Sequence, residues 1–343
     1  METIFSSDHA LHESPGELSS GEFVPAFEKP ERAEIILARV RAVGLGGVRA
    51  PDAFPLECIT RIHDPRMVHL LQTAAADWAA LGRPGAAFPF TFFTRGMRAD
   101  RVPRGLEAQL AYFCFDAGTP ITATSWQAIR SSADVALTGA KAIGAGATSI
   151  YVLCRPPGHH AGSDHYGGYC FLNNAAIAAQ ALLDGGAARV AILDVDYHHG
   201  NGTQQIFYAR NDVLVVNIHA TPDQEYPYLL GFEDEPGMGE GEGFNLNLPL
   251  PWGTEWDAWS TALEAGCARV ADYAPDVLIV SLGVDTYKND PISKFKLDHE
   301  HFTRMGARIA RLGVPTLFVQ EGGYAVAAIG VNAVNVLTGF EGR

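Results

Sequence analysis

Asp196 and His198 stand two residues apart in the run Val195-Asp196-Tyr197-His198-His199-Gly200-Asn201-Gly202. In an extended segment, residues two apart point to the same side, so this carboxylate and imidazole are placed to share one divalent cation. Asp285, from a separate segment, can supply a third ligand. Three protein ligands leave positions open for water and substrate, which is the catalytic kind of metal site. Mixed nitrogen and oxygen ligation without sulfur suits Zn2+, and Fe2+ or Co2+ as well. His159 and His160 follow Arg155-Pro156-Pro157-Gly158. Beside such a site an imidazole can take a proton from water and hand it to a leaving amine. Two histidines can divide that work from charge stabilisation, each held in one tautomer by a neighbour, for which Asp194 and Asn201 are the candidates. Tyr324, after Glu321-Gly322-Gly323, offers a hydroxyl to a carbonyl oxygen as it becomes an oxyanion. Singly, each has a plainer reading: a turn or ion pair for the D-x-H, surface histidines in a Pro-Gly loop, an ordinary buried tyrosine. Their common position in the fold separates the two.

That position follows from the elements around them. Short, apolar, β-branched runs at 149–154, 189–194, 213–218, 277–283 and 315–320 predict strands. Helical patterns lie near 174–183, 203–208, 256–272, 298–312 and 326–338, and upstream at 30–40 and 65–80. Strands this apolar, alternating with helices, predict a mostly parallel sheet covered on both faces. No linker-like change of composition divides the chain, so one α/β domain over residues 1–343 is expected. In such sheets ligands bind outside the carboxyl ends of the strands. Five successive strand ends here carry His159-His160, Asp196 with His198, His219, Asp285 and Tyr324. Together they describe metal-assisted hydrolysis of an amide or ester. The segment 83–122 is a long arm with Phe88, Phe90, Phe92 and Phe93 among prolines and glycines and no clean period. Loops of that length are usually functional, and packing on its own domain, a pocket rim and a subunit contact are all open to it.

Composition removes other classes. With 39 acidic and 25 basic residues the formal charge is −14, which repels nucleic-acid phosphates and anionic lipid, so neither partner is expected. Five scattered cysteines, odd in number and never C-x-x-C, suit a reducing compartment rather than a disulfide framework. Residues 1–10 lack a basic region followed by an apolar run, and no stretch approaches the ~18–20 apolar residues of a spanning helix; a cytoplasmic location is expected. The motifs G-x-x-x-x-G-K-[ST], G-x-S-x-G and H-E-x-x-H do not occur, which removes P-loop NTPase, α/β-hydrolase and zincin readings.

The motifs RPPGHHA (155–161), GGYCFLNNAA (167–176), ILDVDYHHGNGTQ (192–204), SLGVDTYKNDP (281–291) and EGGY (321–324), in that order, resemble the histone deacetylase superfamily. Within it the chain is most similar to the bacterial acetylpolyamine amidohydrolases, through FVPAFEKPERAEII (23–36) and the arm around Leu106-Glu107-Ala108-Gln109 as well. The resemblance implies an arginase-like fold, one zinc on Asp196, His198 and Asp285, and a structural potassium where Asp194 meets the carbonyls of Asp196 and His198. It implies His160 as general base and acid, His159 as mainly electrostatic, and Tyr324 on the acetyl carbonyl. It also implies Gly168, Tyr169 and Tyr226 on a narrow substrate tunnel, Glu107 near the substrate's distant ammonium, and a homodimer built through the arm. Arginases hold two manganese ions with extra acidic positions that are Gly200 and Tyr287 here, so one metal is expected. Gly118 stands where a second tunnel glutamate is expected, with Asp116 two residues earlier, which counts against long, multiply charged polyamines and leaves a shorter acetylated diamine, or another small acetylated amine, as the expected substrate of a zinc-dependent deacetylase. An acetyl-lysine protein deacetylase is the alternative that the same chemistry allows.

Overall fold

The structure, a computed structural model, describes residues 1–19 and 21–343. Its strands are β1 (Glu2–Ile4), β2 (Glu17–Ser19), β3 (Glu22–Val24), β4 (Val48–Arg49), β5 (Ser149–Val152), β6 (Val190–Asp194), β7 (Val213–Ala220), β8 (Asn245–Leu250), β9 (Val277–Leu282) and β10 (Thr316–Gln320). Its α-helices are α1 (Glu31–Ala42), α2 (Glu57–Thr60), α3 (Pro65–Ala80), α4 (Leu106–Phe113), α5 (Ser125–Gly144), α6 (Asn174–Asp184), α7 (Asn201–Phe207), α8 (Trp256–Tyr273), α9 (His299–Ala310) and α10 (Val326–Phe340). Eight strands form one sheet in the order β4-β1-β5-β10-β9-β6-β7-β8, with every pairing parallel. The remaining two, β2 and β3, pair as an antiparallel hairpin.

Alternation along the central strands sorts their side chains onto two cores. Ile150, Val152, Val190 and Ile192 face the layer that includes α5 and α6, whereas Tyr151, Ala191 and Leu193 face the layer of α1, α8, α9 and α10. Both faces are therefore apolar, as the continuous runs of Val, Ile and Leu require. The five strands expected from sequence all form, within one or two residues at each end. The strands at the sheet's margins, β1, β4 and β8, have too little apolar run to stand out. Helix α5 also escapes a periodicity test. It is rich in Ala, Ser, Thr and Gly, and its small residues are buried around much of its circumference. Gly139 shows why they are small: a Cβ there would lie 2.4 Å from Val152 Cγ1 of the sheet. The arm at 83–122 is not wholly loop, because α4 occupies its second half.

Register sets up the site. Val152 of β5 is level with Val319 of β10, Val319 with Ser281 of β9, and Ser281 with Asp194 of β6. Four adjacent strands thus end on one row, and the segments carrying residues 155–160, 321–324, 283–285 and 195–198 all leave the sheet from it.

Candidate active site

Just past that row Asp196, His198 and Asp285 converge, buried, with one potential ligand atom from each lying within 4.8 Å of the other two. His198 Nδ1 is 3.1 Å from Asp285 Oδ2 and 3.4 Å from Asp196 Oδ1. Backbone amides aim the carboxylates: His198 N–H donates to Asp196 Oδ1 at 2.9 Å, Gly322 N–H to Asp196 Oδ2 at 2.8 Å, and Tyr197 N–H to Asp285 Oδ1 at 2.9 Å. Glycines keep the space open. A Cβ on Gly283 would fall 1.9 Å from Asp196 Oδ2, and one on Gly322 2.6 Å from Asp285 Oδ2.

The electrostatics favour positive charge between the carboxylates. Burial, then the charge of Asp196, pushes the Asp285 carboxyl up to about 7. Burial opposes a charge on His198, yet the two carboxylates outweigh it and raise the ring well above its ordinary range. Two desolvated carboxylates cannot both stay ionised at this range without positive charge between them. One imidazole and two carboxylates fit a divalent ion of mixed nitrogen and oxygen preference. A second group, His159, Cys170 and Glu321, is equally close, but its chemistry differs. It has one carboxylate where the first has two, and none of its three residues lines the ≈ 520 Å³ cavity that reaches His198. Glu321 instead accepts the amide protons of Gly158 and His159 at 2.7 and 3.2 Å, so it shapes the histidine loop.

The two histidines sit against this centre with their rings 4.0 Å apart between centroids. His159 Nδ1 lies 3.0 Å from Asp194 Oδ2, and His160 Nδ1 lies 2.6 Å from Asn201 Oδ1. Burial disfavours charge on both. At His159 the carboxylates of Asp196 and Asp194 overcome that cost and raise the ring to about 10. At His160 the positive charges of His159 and His198 add to the cost of burial, the hydrogen bond to Asn201 offsets too little of it, and the ring falls well below its ordinary value. His160 is a neutral imidazole whose Nδ1–H donates to Asn201, which leaves Nε2 as the acceptor.

Tyr324 is buried, its ring 5.7 Å from that of Tyr169 and beneath the guanidinium of Arg32 at 4.7 Å. Burial lifts its phenol well above the ordinary range, so it stays a hydrogen-bond donor. A cavity of ≈ 520 Å³ leads down to His160, His198 and Tyr324, walled by Gly168, Tyr169 and Tyr226. Gly168 takes a positive φ of 59°, and a Cβ there would strike His160 Cδ2 at 2.4 Å. Tyr169 follows at φ 66°, which is uncommon for a bulky residue and costs energy. The arm holds this turn in place. Asp116 Oδ2 accepts from Gly168 N–H at 2.6 Å and from the Tyr226 hydroxyl at 2.8 Å, and Thr119 Oγ1 accepts from Tyr169 N–H at 2.9 Å.

Two residues fall elsewhere. Glu107 pairs with Arg83 at 2.5 Å, half-exposed on α4 and away from the cavity walls of its own chain. His219 is still inside β7; its Nε2–H donates to Gly231 O at 2.9 Å and its ring packs on His199, so it anchors the loop that carries Tyr226. The apolar run in the sequence stops at 218, two residues before the strand does. Conversely, Glu17 and Glu225 line the cavity without any sequence signal, since isolated glutamates outside the motifs look like solvated surface.

A parallel sheet with this site at the ends of its central strands is the architecture of a hydrolytic deacetylase. The histone deacetylase domain model matches residues 26–340, and the chain belongs to that family. It is 58% identical to acetylpolyamine amidohydrolase 2 of Pseudomonas aeruginosa, over 100% of this chain and 99% of that protein. It is 47% identical to the acetylpolyamine amidohydrolase of Mycoplana ramosa, over all of both chains. The crystal structure of acetylpolyamine aminohydrolase from Burkholderia pseudomallei superposes with a TM-score of 0.95 at 42% identity, covering 99% of this chain and 98% of that one.

Proposed function

We propose that this chain is a zinc-dependent amidohydrolase that removes the acetyl group from small acetylated amines, acetylpolyamines or acetylated diamines. The observation that carries the reading is the cavity itself. Its floor is His160, His198 and Tyr324, and its walls include Glu17, Asp116 and Glu225 with no lysine or arginine among the described residues. Such a passage favours a substrate that ends in an ammonium group.

A divalent cation held by Asp196, His198 and Asp285 would supply a Lewis acid that acidifies water and polarises the acetyl carbonyl. His160 Nε2 takes the proton of the attacking water as the new C–O bond forms. Tyr324 donates its hydroxyl hydrogen bond to the carbonyl oxygen as negative charge grows there. His160 then returns the proton to the nitrogen as the C–N bond breaks, giving acetate and the free amine. His159, kept cationic by Asp194 and Asp196, offsets that negative charge without moving a proton.

The same reading includes a potassium ion held by Asp194 with the backbone carbonyls of Asp196 and His198, an all-oxygen set that suits a hard cation. It also includes a cytoplasmic homodimer of one-domain subunits. No helix among the described residues is long and apolar enough to cross a membrane.

The test compares acetylputrescine, acetylspermidine, an acetyl-lysine peptide and uncharged N-butylacetamide on zinc-loaded enzyme. The charged diamine or polyamine substrates should have the highest kcat/KM, and chelation should abolish turnover until zinc is restored. Faster cleavage of the peptide would replace this reading by protein deacetylation; preference for the uncharged amide would remove the role of the acidic wall.

A further inference from the structure

Asp290 lies five residues beyond Asp285, on the loop leaving β9, and it is buried. Its Oδ2 accepts the amide protons of Tyr324 at 2.7 Å and Ala325 at 3.1 Å, and its Oδ1 accepts that of Ile292 at 3.2 Å. One carboxylate therefore joins two loops, that of Asp285 and that of Tyr324. Hydrogen bonds to a charged acceptor are stronger than neutral ones, and three backbone donors would be left unpaired without it.

The turn that carries Tyr324 needs such a tie. Gly323, just before it, has φ 123°, a backbone state open chiefly to glycine, and glycine retains freedom to leave it. The other attachments fall upstream: Asp196 holds the amide of Gly322, while Arg32 donates to the carbonyls of Glu321 at 2.7 Å and Gly323 at 2.5 Å. Asp290 alone among these side chains grips the backbone of Tyr324 itself, together with the residue that opens α10. The phenol ring is otherwise held by packing, against Tyr169 and Arg32.

We propose that Asp290 is a positioning residue for Tyr324: it locks that residue's backbone to the loop of Asp285, so that the hydroxyl and the ligand set keep one geometry. The inference rests on Tyr324 being the donor to the developing oxyanion. Small displacements of such a donor are expensive, because its hydrogen bond counts only at the position that the oxyanion takes up.

The experiment is a double-mutant cycle on zinc-loaded enzyme, with metal content and thermal midpoint measured for each variant. Asp290→Ala should lower kcat by roughly 10²-fold while KM stays within about threefold, the pattern of an interaction made in the transition state. Asp290→Asn keeps an oxygen for Tyr324 and Ala325 but turns an NH2 towards the amide of Ile292, so its loss should be smaller; it carries the test if the alanine variant fails to fold or to hold zinc. In a Tyr324→Phe background either change should cost less than about threefold further, since there is no hydroxyl left to position. Equal losses with and without the hydroxyl would make Asp290 merely structural and overturn the inference, as would unchanged kcat in both single variants. If Tyr324→Phe alone were nearly fully active, the reading of Tyr324 would fall first and the positioning role with it.

Discussion

His159 and His160 are adjacent, identical in type and buried alike, yet their rings are pushed in opposite directions: against the cost of burial the carboxylates of Asp196 and Asp194 raise His159, whereas burial and the neighbouring imidazoles lower His160. Asp194 gives His159 an anion; Asn201 gives His160 a neutral carbonyl oxygen. A general base must be unprotonated at working pH, which only the second arrangement provides. His160→Ala should therefore lower kcat by about 10²–10⁴-fold with metal content unchanged, as steady-state kinetics and metal analysis would register. A loss below about tenfold would assign the proton transfer elsewhere. The sequence named both partners because each lies inside a motif with chemical content. It did not name Asp290, which shares the run SLGVDTYKNDP with Asp285, because no spacing rule links a carboxylate to backbone amides 34 residues away.

At the scale of elements, the ends of the central strands are braced by a buried charge cluster. Glu28, just ahead of α1, accepts from Arg32 Nη1 at 2.8 Å and from Arg155 Nε and Nη2 at 2.8 and 3.0 Å. Although burial works against it, the charges of the two arginines hold the Glu28 carboxyl below its usual range. Arg32 in turn reaches the turn of Tyr324, and Arg155 begins the histidine loop. The cluster thus ties α1 to the segments after β5 and β10. Glu28→Ala would leave two buried guanidiniums facing each other, and removing one partner of a buried ion network costs about 3–5 kcal/mol. Urea unfolding of the zinc-loaded protein should show a loss of that size; one below about 1 kcal/mol would mean that water or another anion replaces the carboxylate. Spaced four residues apart, Glu28 and Arg32 carry no mark of burial in the local sequence. Their burial became visible only when Arg155, 127 residues from Glu28, was packed beside them.

Over the whole molecule, the arm and the loop after β7 leave an apolar rim outside the site. Phe90 is 94% exposed and Leu229 85% exposed, with Phe93, Met97 and Tyr228 also in the open. Phe93 and Leu229 share a groove of ≈ 250 Å³ beside the active-site cavity, with Asn201 at its base. Exposed aromatic and aliphatic clusters of this kind mark contact surfaces, which supports the expected homodimer. The double change Phe93→Ser with Leu229→Ser should convert the protein to monomer in sedimentation velocity at micromolar concentration. Wild-type protein sedimenting as a monomer there would remove the dimer from the proposal. The aromatic run at 88–93 was visible in the sequence, but its direction was not. The irregular arm has no period from which to tell an inward face from an outward one.

The five central strands, the parallel α/β class and the candidate metal-binding residues were legible in local pattern, because continuous apolar runs and polar residues at strand ends are properties of contiguous sequence. The tertiary structure alone decided which strand ends are neighbours, which histidine is charged, and which carboxylates face the cavity. Those outcomes depend on burial and on through-space distances between segments up to 291 residues apart, and a linear spacing rule contains neither.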